Sequence, residues 1–397
     1  MRTPRPGGLA CAGLVLAALA LVAGCSGRPT WRSPGESAKP GKPTGPTVTA
    51  PADGATDVPT SAEIVLAGAN PSTSVALADS GGAAVEGEMR PDGSSWVPAA
   101  QLKYATMYTA KVGDKTVSFT TMNKPSDLVR VSSAIGDDQV IGVAAPLVVN
   151  FGVDVPKDQR VAVQRRLFVK SEPAQEGIWN WFSPREIHYR SREYWQPGTK
   201  LSVRLATGGL PWGGTWYGGS DITVRASVGP KLEITVDNAT KQMTVTQDGQ
   251  LLRTVPVSLG KPSSPSFSGN MVVMIKNEWE WFDSGTFGIP ADSPGGYRTK
   301  VFWPMRLSWS GQYIHSAPWS VRDQGKRNVS HGCTNISPEN ADWLWHLAHI
   351  GDPVVVKGTE QSLPWADGWT DWNASWEEYA KGSAIPPSGA APTPSHS

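Results

Sequence analysis

The stretch NVSHGCTNIS, residues 328–337, sets Cys333 two positions after His331 with Gly332 between them. A thiol attacks a carbonyl only as the thiolate, so a cysteine used in catalysis needs a base or a positive field to take its proton, and donors for the oxyanion it creates. This segment offers both. Gly332 can take backbone angles closed to other residues and lets a substrate approach, while successive amides around Gly332 and Cys333 can point at one oxygen. His331 and His315 are two candidates for the base. Taken singly, each also has a plain structural reading: Cys333 as a buried inert thiol, His315 as a core histidine following a strand, His331 as a brace within its loop. A metal site is the chemical competitor, but two histidines and one cysteine without a carboxylate nearby in sequence make poor zinc spacing, and no metal is expected.

The start of the chain decides how unusual that thiol is. Arg2 and Arg5 precede a charge-free apolar run from Leu9 to Ala23, which reads as a secretory signal and is too short for a spanning helix. Its end, Val22-Ala23-Gly24-Cys25, resembles the bacterial lipoprotein cleavage box, in which the Cys25 thiol is acylated and becomes the mature N-terminus. An ordinary cleaved signal or an uncleaved anchor is the alternative. With three cysteines in the chain, Cys11 leaves with the signal and Cys25 carries lipid, so Cys333 is the one free thiol of the mature protein and no intrachain disulfide is expected. The chain has 36 basic and 35 acidic residues, and losing Arg2 and Arg5 leaves 34 against 35. That balance argues against a nucleic-acid partner and makes the lipid, rather than a basic patch, the link to the membrane.

The elements that must position the thiol follow from periodicity. About 370 mature residues exceed a single core and imply two or three domains. Residues 26–46, rich in Pro, Gly and Ser, read as a flexible tether. Residues 47–123 alternate short β-type runs (EIVLAG, SVALAD, MYTAKV, TVSFTT) with turn signals, as expected of a small sandwich, and residues 124–228 repeat the pattern. In the second stretch Trp179, Trp181, Trp195, Trp212 and Trp216 suit either core packing or a carbohydrate platform, and His188 reads as a lone surface or strand histidine. From Lys231 strands begin again, later ones being expected at MVVMIK, RLSWS and YIHS. After Ser337 as N-cap and Pro338 at the first position, Ala341, Leu344, Trp345 and Ala348 predict a helix that Gly351 ends before the strand DPVVVK. His346 and His349 sit on its solvated face. The reactive segment therefore lies just ahead of a helix on a mainly β domain.

The segment YIHSAPWSVRDQGKRNVSHGCTNIS resembles the active-site signature of the L,D-transpeptidases, cysteine enzymes with a YkuD-like domain: a histidine, then Ser/Thr-His-Gly-Cys-x-Asn some 15 to 20 residues on. His315, Ser330, His331, Gly332, Cys333 and Asn335 meet it, and the likeness runs from GYRT to GDPVVV. The whole chain is similar to actinobacterial members with two immunoglobulin-like modules before the catalytic domain and a Trp-rich extension after it. The expected architecture is accordingly mainly β: two immunoglobulin-like sandwiches, a β-rich catalytic domain over 229–358 with one or two short helices, an extension over 359–384 carrying Trp365, Trp369, Trp372 and Trp376 and packed on the catalytic domain, and a disordered tail over 385–397.

The resemblance implies Cys333 as nucleophile, His315 as its base, and the Ser316 carbonyl orienting His315. His331 and Asn335 would order the loop, with Ser330 part of the same motif and amides near Gly332 and Cys333 forming the oxyanion hole. Tyr297 matches a lid tyrosine over the donor pocket and Trp319 a pocket wall. Phe282 stands where close relatives resemble one another in methionine, which bears on the shape of the donor pocket. The implied reaction is acyl transfer between peptidoglycan stem peptides: a tetrapeptide donor loses its terminal D-Ala, and a side-chain amine of an acceptor stem resolves the thioester to give a 3→3 cross-link. It calls for no cofactor. The implied setting is the outer face of the cell membrane, turned toward the wall, with carbapenem β-lactams as inhibitors. Rival readings are an L,D-carboxypeptidase, an enzyme attaching a protein to the wall, and an inactive wall-binding structural module.

Overall fold

The computed structural model describes residues 45–386, apart from Gly295 and the side chain of Phe287. The signal, Cys11, the expected acylation site Cys25, nearly all of the tether and most of the tail lie outside the described residues.

Alternating burial builds the first sandwich. In Met107–Val112 the side chains of Tyr108, Ala110 and Val112 point inward while Met107 and Lys111 face water. One sheet runs in the order Thr47–Ala50, Ile64–Ala67, Ser95–Pro98, Gly87–Met89, and the other is formed around Lys115–Thr121 and Met107–Val112. Ile64, Leu77, Trp96, Tyr108 and Phe119 fill the space between. The second sandwich pairs a sheet around Leu147–Phe151 and Glu186–Ser191 with one around Ile222–Val228 and Lys200–Leu205. Trp179, Trp181, Trp195 and Trp212 are buried in its core, so the carbohydrate-platform reading fails for these four, and Trp216 alone of the five is exposed.

The third layer pair carries the reactive segment. A six-stranded sheet has Leu232–Asp237 and Pro353–Lys357 at its centre, and a four-stranded sheet runs Ile275–Lys276, Met305–Arg306, Tyr313–Ser316, Thr334–Ile336. The apolar run MVVMIK, expected as one strand, is divided between them. The Val273 amide donates to the Asp352 carbonyl and the next amide, Met274, donates to Arg306 on the other sheet, so the chain changes sheets within two residues and both sides of the run are buried. A ribbon of Trp279–Asp283 and Arg298–Phe302 stands apart as a two-stranded sheet.

The helix Pro338–Leu347 starts as expected, with the Ser337 hydroxyl accepting from the Asn340 amide, and buries Ala341 and Leu344. It ends at Leu347 with Ala348 as C-cap, four residues before Gly351, and His349 falls beyond it. Gly351 has a different reason to be glycine. Its φ is +92°, and a Cβ there would sit 2.2 Å from the Ala145 Cβ of the second sandwich. The close approach lets the Gly142 amide donate to the Ile350 carbonyl at 2.8 Å and the Ala144 amide to the Gly351 carbonyl at 3.0 Å.

The Trp-rich extension fastens the second sandwich to the catalytic layers, rather than covering the catalytic domain alone. Trp369 is buried with Ala144, Val148, Val272 and Met274, and the Trp372 indole donates to the Ala144 carbonyl at 2.8 Å. Asn373 exchanges hydrogen bonds with the main chain of Asn270. A 3-10 turn, Asp371–Asn373, and a short helix, Trp376–Ala380, break the chain direction, so the tryptophans do not form one stripe. His188 is not a surface residue. It is fully buried on the strand Glu186–Ser191, with Nδ1 3.0 Å from Asp371 and Nε2 2.7 Å from Glu186. Burial alone would lower its pKa, but the two carboxylates outweigh burial and raise it to about 9.

Candidate active site

Cys333 immediately precedes the strand Thr334–Ile336, which pairs in parallel with Tyr313–Ser316 so that His315 lies opposite Asn335. Side chains two apart on a strand share a face. Tyr313 and His315 on one strand, and Asn335 with Cys333 just ahead of the other, therefore look out on the same side. The thiol lines a cleft of about 610 Å³ whose walls include Phe282, Tyr297, Tyr313 and His331.

His315 is buried, and its Nδ1 lies 2.9 Å from the Ser316 carbonyl oxygen. A carbonyl only accepts, so Nδ1 carries the proton and Nε2 keeps its lone pair, the tautomer a base needs. Burial pushes the pKa of His315 down to about 4, against the opposing Ser316 hydrogen bond. Burial pushes the Cys333 thiol up to about 12, with the Tyr313 main-chain amide favouring the thiolate. Between those values the resting pair is a neutral thiol and a neutral imidazole. The Cys333 thiol meanwhile donates to the Gly311 carbonyl at 3.5 Å.

The loop before the thiol is held from several sides. The Ser330 hydroxyl accepts from the Gly332 amide at 3.1 Å and donates to the Cys333 carbonyl at 2.6 Å. Gly332 has φ +124°, and a Cβ there would press to 2.9 Å on the Gln312 side-chain nitrogen. His331 is exposed; its Nε2 accepts from Lys261 at 2.9 Å, its carbonyl accepts from Ser264, and its ring tilts against Tyr297 with centroids 5.4 Å apart. Burial and the Lys261 charge both lower its pKa. The Asn335 amide nitrogen donates to Ser320 at 3.1 Å, while its buried Oδ1 has no partner among the described residues. Phe282 meets the His315 ring edge-on at 5.2 Å and Tyr313 at 4.6 Å. Trp319 lies 6.0 Å from the His315 ring, half exposed, and is not among the cleft-lining residues.

The expected residues other than Trp319 thus gather around the cleft, but the site has parts that motif reading missed. Gly332 spends its amide on Ser330, which removes it from the expected oxyanion donors. Lys261, Ser264 and Ser266 reach the loop from some 70 residues away, Ser266 donating to the Gly332 carbonyl at 2.6 Å. Tyr313 donates to Glu280 on the ribbon at 3.2 Å. Asp367 of the extension accepts from the Ser310 amide at 2.7 Å, bracing the turn whose next residue, Gly311, receives the thiol. None of these carries a local sequence signal, because each is a contact made only by the folded chain.

Comparison with known proteins agrees with this geometry. Residues 231–356 match the family model described as the L,D-transpeptidase catalytic domain, and residues 55–211 match the model for a bacterial Ig domain. The chain is 34% identical over 342 residues to L,D-transpeptidase 2 of Mycobacterium tuberculosis, covering 84% of this chain and 83% of that protein. It is 32% identical over 396 residues to L,D-transpeptidase 5 of the same organism, covering 95% of this chain and 84% of the relative. A solved LD transpeptidase structure in complex with imipenem is 36% identical and superposes with a TM-score of 0.50, covering 59% of this chain and all of that one. A mainly β chain with immunoglobulin-like layers, a cleft thiol and an oriented imidazole, similar over most of its length to these enzymes, belongs to the L,D-transpeptidases.

Proposed function

We propose that the chain forms 3→3 cross-links between peptidoglycan stem peptides through a thioester on Cys333. As Sγ attacks the carbonyl of the third residue of a tetrapeptide donor, His315 Nε2 takes the thiol proton. The tetrahedral intermediate collapses with rupture of the C–N bond, and His315 returns the proton to the departing D-Ala amine. A side-chain amine of a second stem then attacks the thioester, passes its proton to His315 and frees the thiol. The Cys333 amide is the local donor for the oxyanion, since the Gly332 amide already serves Ser330. Tyr297 closes the cleft over the donor, His331 and Asn335 hold the loop, and Phe282 narrows the wall beside His315.

The observation that carries this reading is the His315 tautomer: Nδ1–H tied to a carbonyl on the face shared with the thiol leaves one nitrogen free to act as base. Lipid on Cys25 would hold the enzyme to the outer membrane face, with the active site toward the wall. Because a relative's structure holds imipenem, the thiol is expected to open carbapenems and show one adduct on Cys333 by intact mass. Purified tetrapeptide stems incubated with the chain should give cross-linked dimer by mass spectrometry. Tripeptide alone would assign a carboxypeptidase, and full dimer formation by Cys333→Ala would remove the thiol from the mechanism.

A further inference from the structure

The ribbon of Trp279–Asp283 and Arg298–Phe302, which follows on from Tyr297 and serves as the lid in the proposed mechanism, has two different faces. Its register sets Trp279 opposite Phe302, Trp281 opposite Lys300 and Asp283 opposite Arg298, and these six share one face. The other face turns Glu280, Phe282 and Val301 inward, onto Tyr313 and His315. On the outer face Trp279 is 48% exposed, Trp281 49% and Phe302 47%. The ribbon pairs with no further strand, and nothing among the described residues covers these rings. Cations lie beside them: Lys300 Nζ is 4.2 Å from the Trp279 ring centre and 5.2 Å from that of Phe302, and the Arg298 guanidinium is 5.2 Å from Trp281.

We propose that this outer face is a saccharide platform that seats the glycan strand to which the donor stem is attached. The proposal rests on the reading that the cleft takes a stem peptide. Three observations favour a glycan. A pyranose has an apolar C–H face and a polar rim, and the ribbon offers aromatic rings at cross-strand and two-residue spacing with charged groups between them. A protein partner would instead favour an interface centre depleted of lysine. Charge is complementary as well: Lys300 has no carboxylate within salt-bridge distance among the described residues, and the stems borne by the glycan are acidic. Reach also agrees. Two stem residues separate the reacting carbonyl from the sugar linkage, which places the sugar about 10 Å from Sγ in an extended stem. Trp281 lines the same cleft as Cys333, so the platform begins at the cleft's rim.

The test uses the full chain and its Trp279→Ala/Phe302→Ala double variant, neither residue lining the cleft. Stem-free glycan oligosaccharides titrated by calorimetry should bind the wild type saturably, and at least about tenfold more weakly the double variant. With glycan-linked tetrapeptide as donor, KM should rise by a similar factor with kcat changed less than about twofold, while turnover of free tetrapeptide is unchanged. Lack of saturable glycan binding by the wild type, or equal binding by the variant, overturns the platform. So does an equal loss on free and glycan-linked stems, which would make the rings supports of the lid. Sedimentation of the wild type but not the variant with phosphatidylglycerol vesicles, without glycan binding, would assign the face to a membrane instead. If the wild type turns over no stem at all, the catalytic reading fails, and the glycan titration still decides the platform.

Discussion

Burial raises the Cys333 thiol and lowers the His315 imidazole, so both rest neutral, and the proposed chemistry depends on proton transfer during attack rather than on a standing thiolate. The consequence is visible in a pH profile. Acylation of the wild type by a carbapenem should be flat from about pH 5 upward through neutrality and fall as pH drops through about 4, where His315 becomes protonated. In His315→Ala only the free thiolate remains, and the rate should rise roughly tenfold per pH unit across the neutral range. Parallel profiles for the two proteins would remove His315 as the base. At this scale the sequence was informative: the spaced His315 and the Ser-His-Gly-Cys-x-Asn pattern picked out residues that the fold brings to one face. It was silent on their protonation, which burial sets, and on Lys261, Ser266 and Gln312, which hold the loop through contacts distant in sequence.

Elements were legible where a local rule governs them. The Ser337 cap and Pro338 placed the helix start, and alternation in Met107–Val112 placed a strand. Gly351 misled because glycine serves two purposes: here it admits a neighbouring backbone rather than ending a helix. The extension's added contacts with the second sandwich were not legible, since spacing alone does not tell which surfaces tryptophans cover. Two predictions belong here. The pKa of His188 is raised above its ordinary 6.5 to about 9, so its contribution is fully present below pH 6.5 and lost as pH rises through 9. The shift corresponds to about 3 kcal/mol, and denaturant titrations between pH 7 and 10 should show stability falling by up to that amount in the wild type and far less in His188→Gln. Asp367→Ala should leave melting nearly unchanged yet slow acylation, as freeing the Ser310 turn costs about 1–2 kcal/mol of positioning. An unaltered acylation rate would show that the turn holds itself.

Across the whole molecule the sandwiches are joined by unequal junctions. Between the first and second, Glu63, paired with Arg90 of its own sandwich at 2.5 Å, reaches across to Arg166 at 3.3 Å; burial raises its pKa, but these cations and Ser95 outweigh burial and lower it. That contact is polar and small beside the apolar seam of Ala144, Val148, Val272, Met274 and Trp369 between the second sandwich and the catalytic layers. Removing residues 45–123 should therefore leave a soluble enzyme with turnover of free stems within about twofold of the whole chain. Removing residues 45–228 should expose the seam and give a protein that aggregates or loses cooperative melting. A well-folded, active 229–386 fragment would show the seam to be dispensable. The β character was legible from turn spacing, whereas the unequal strength of the junctions was not, because it depends on which faces meet.

The route of the chain adds one more consequence. Residues 365–384 return to the second sandwich after the catalytic layers are complete, and supply Asp371 to His188 and the Tyr379 carbonyl to Asn180. The second sandwich is thus finished by residues that follow the catalytic layers in the chain. Until those residues arrive, His188 and its neighbours face water, and a chain interrupted near residue 364 carries every catalytic group yet lacks the clasp that holds its modules together. Synthesis through the clasp residues is in this way built into the fold as a condition for a closed molecule.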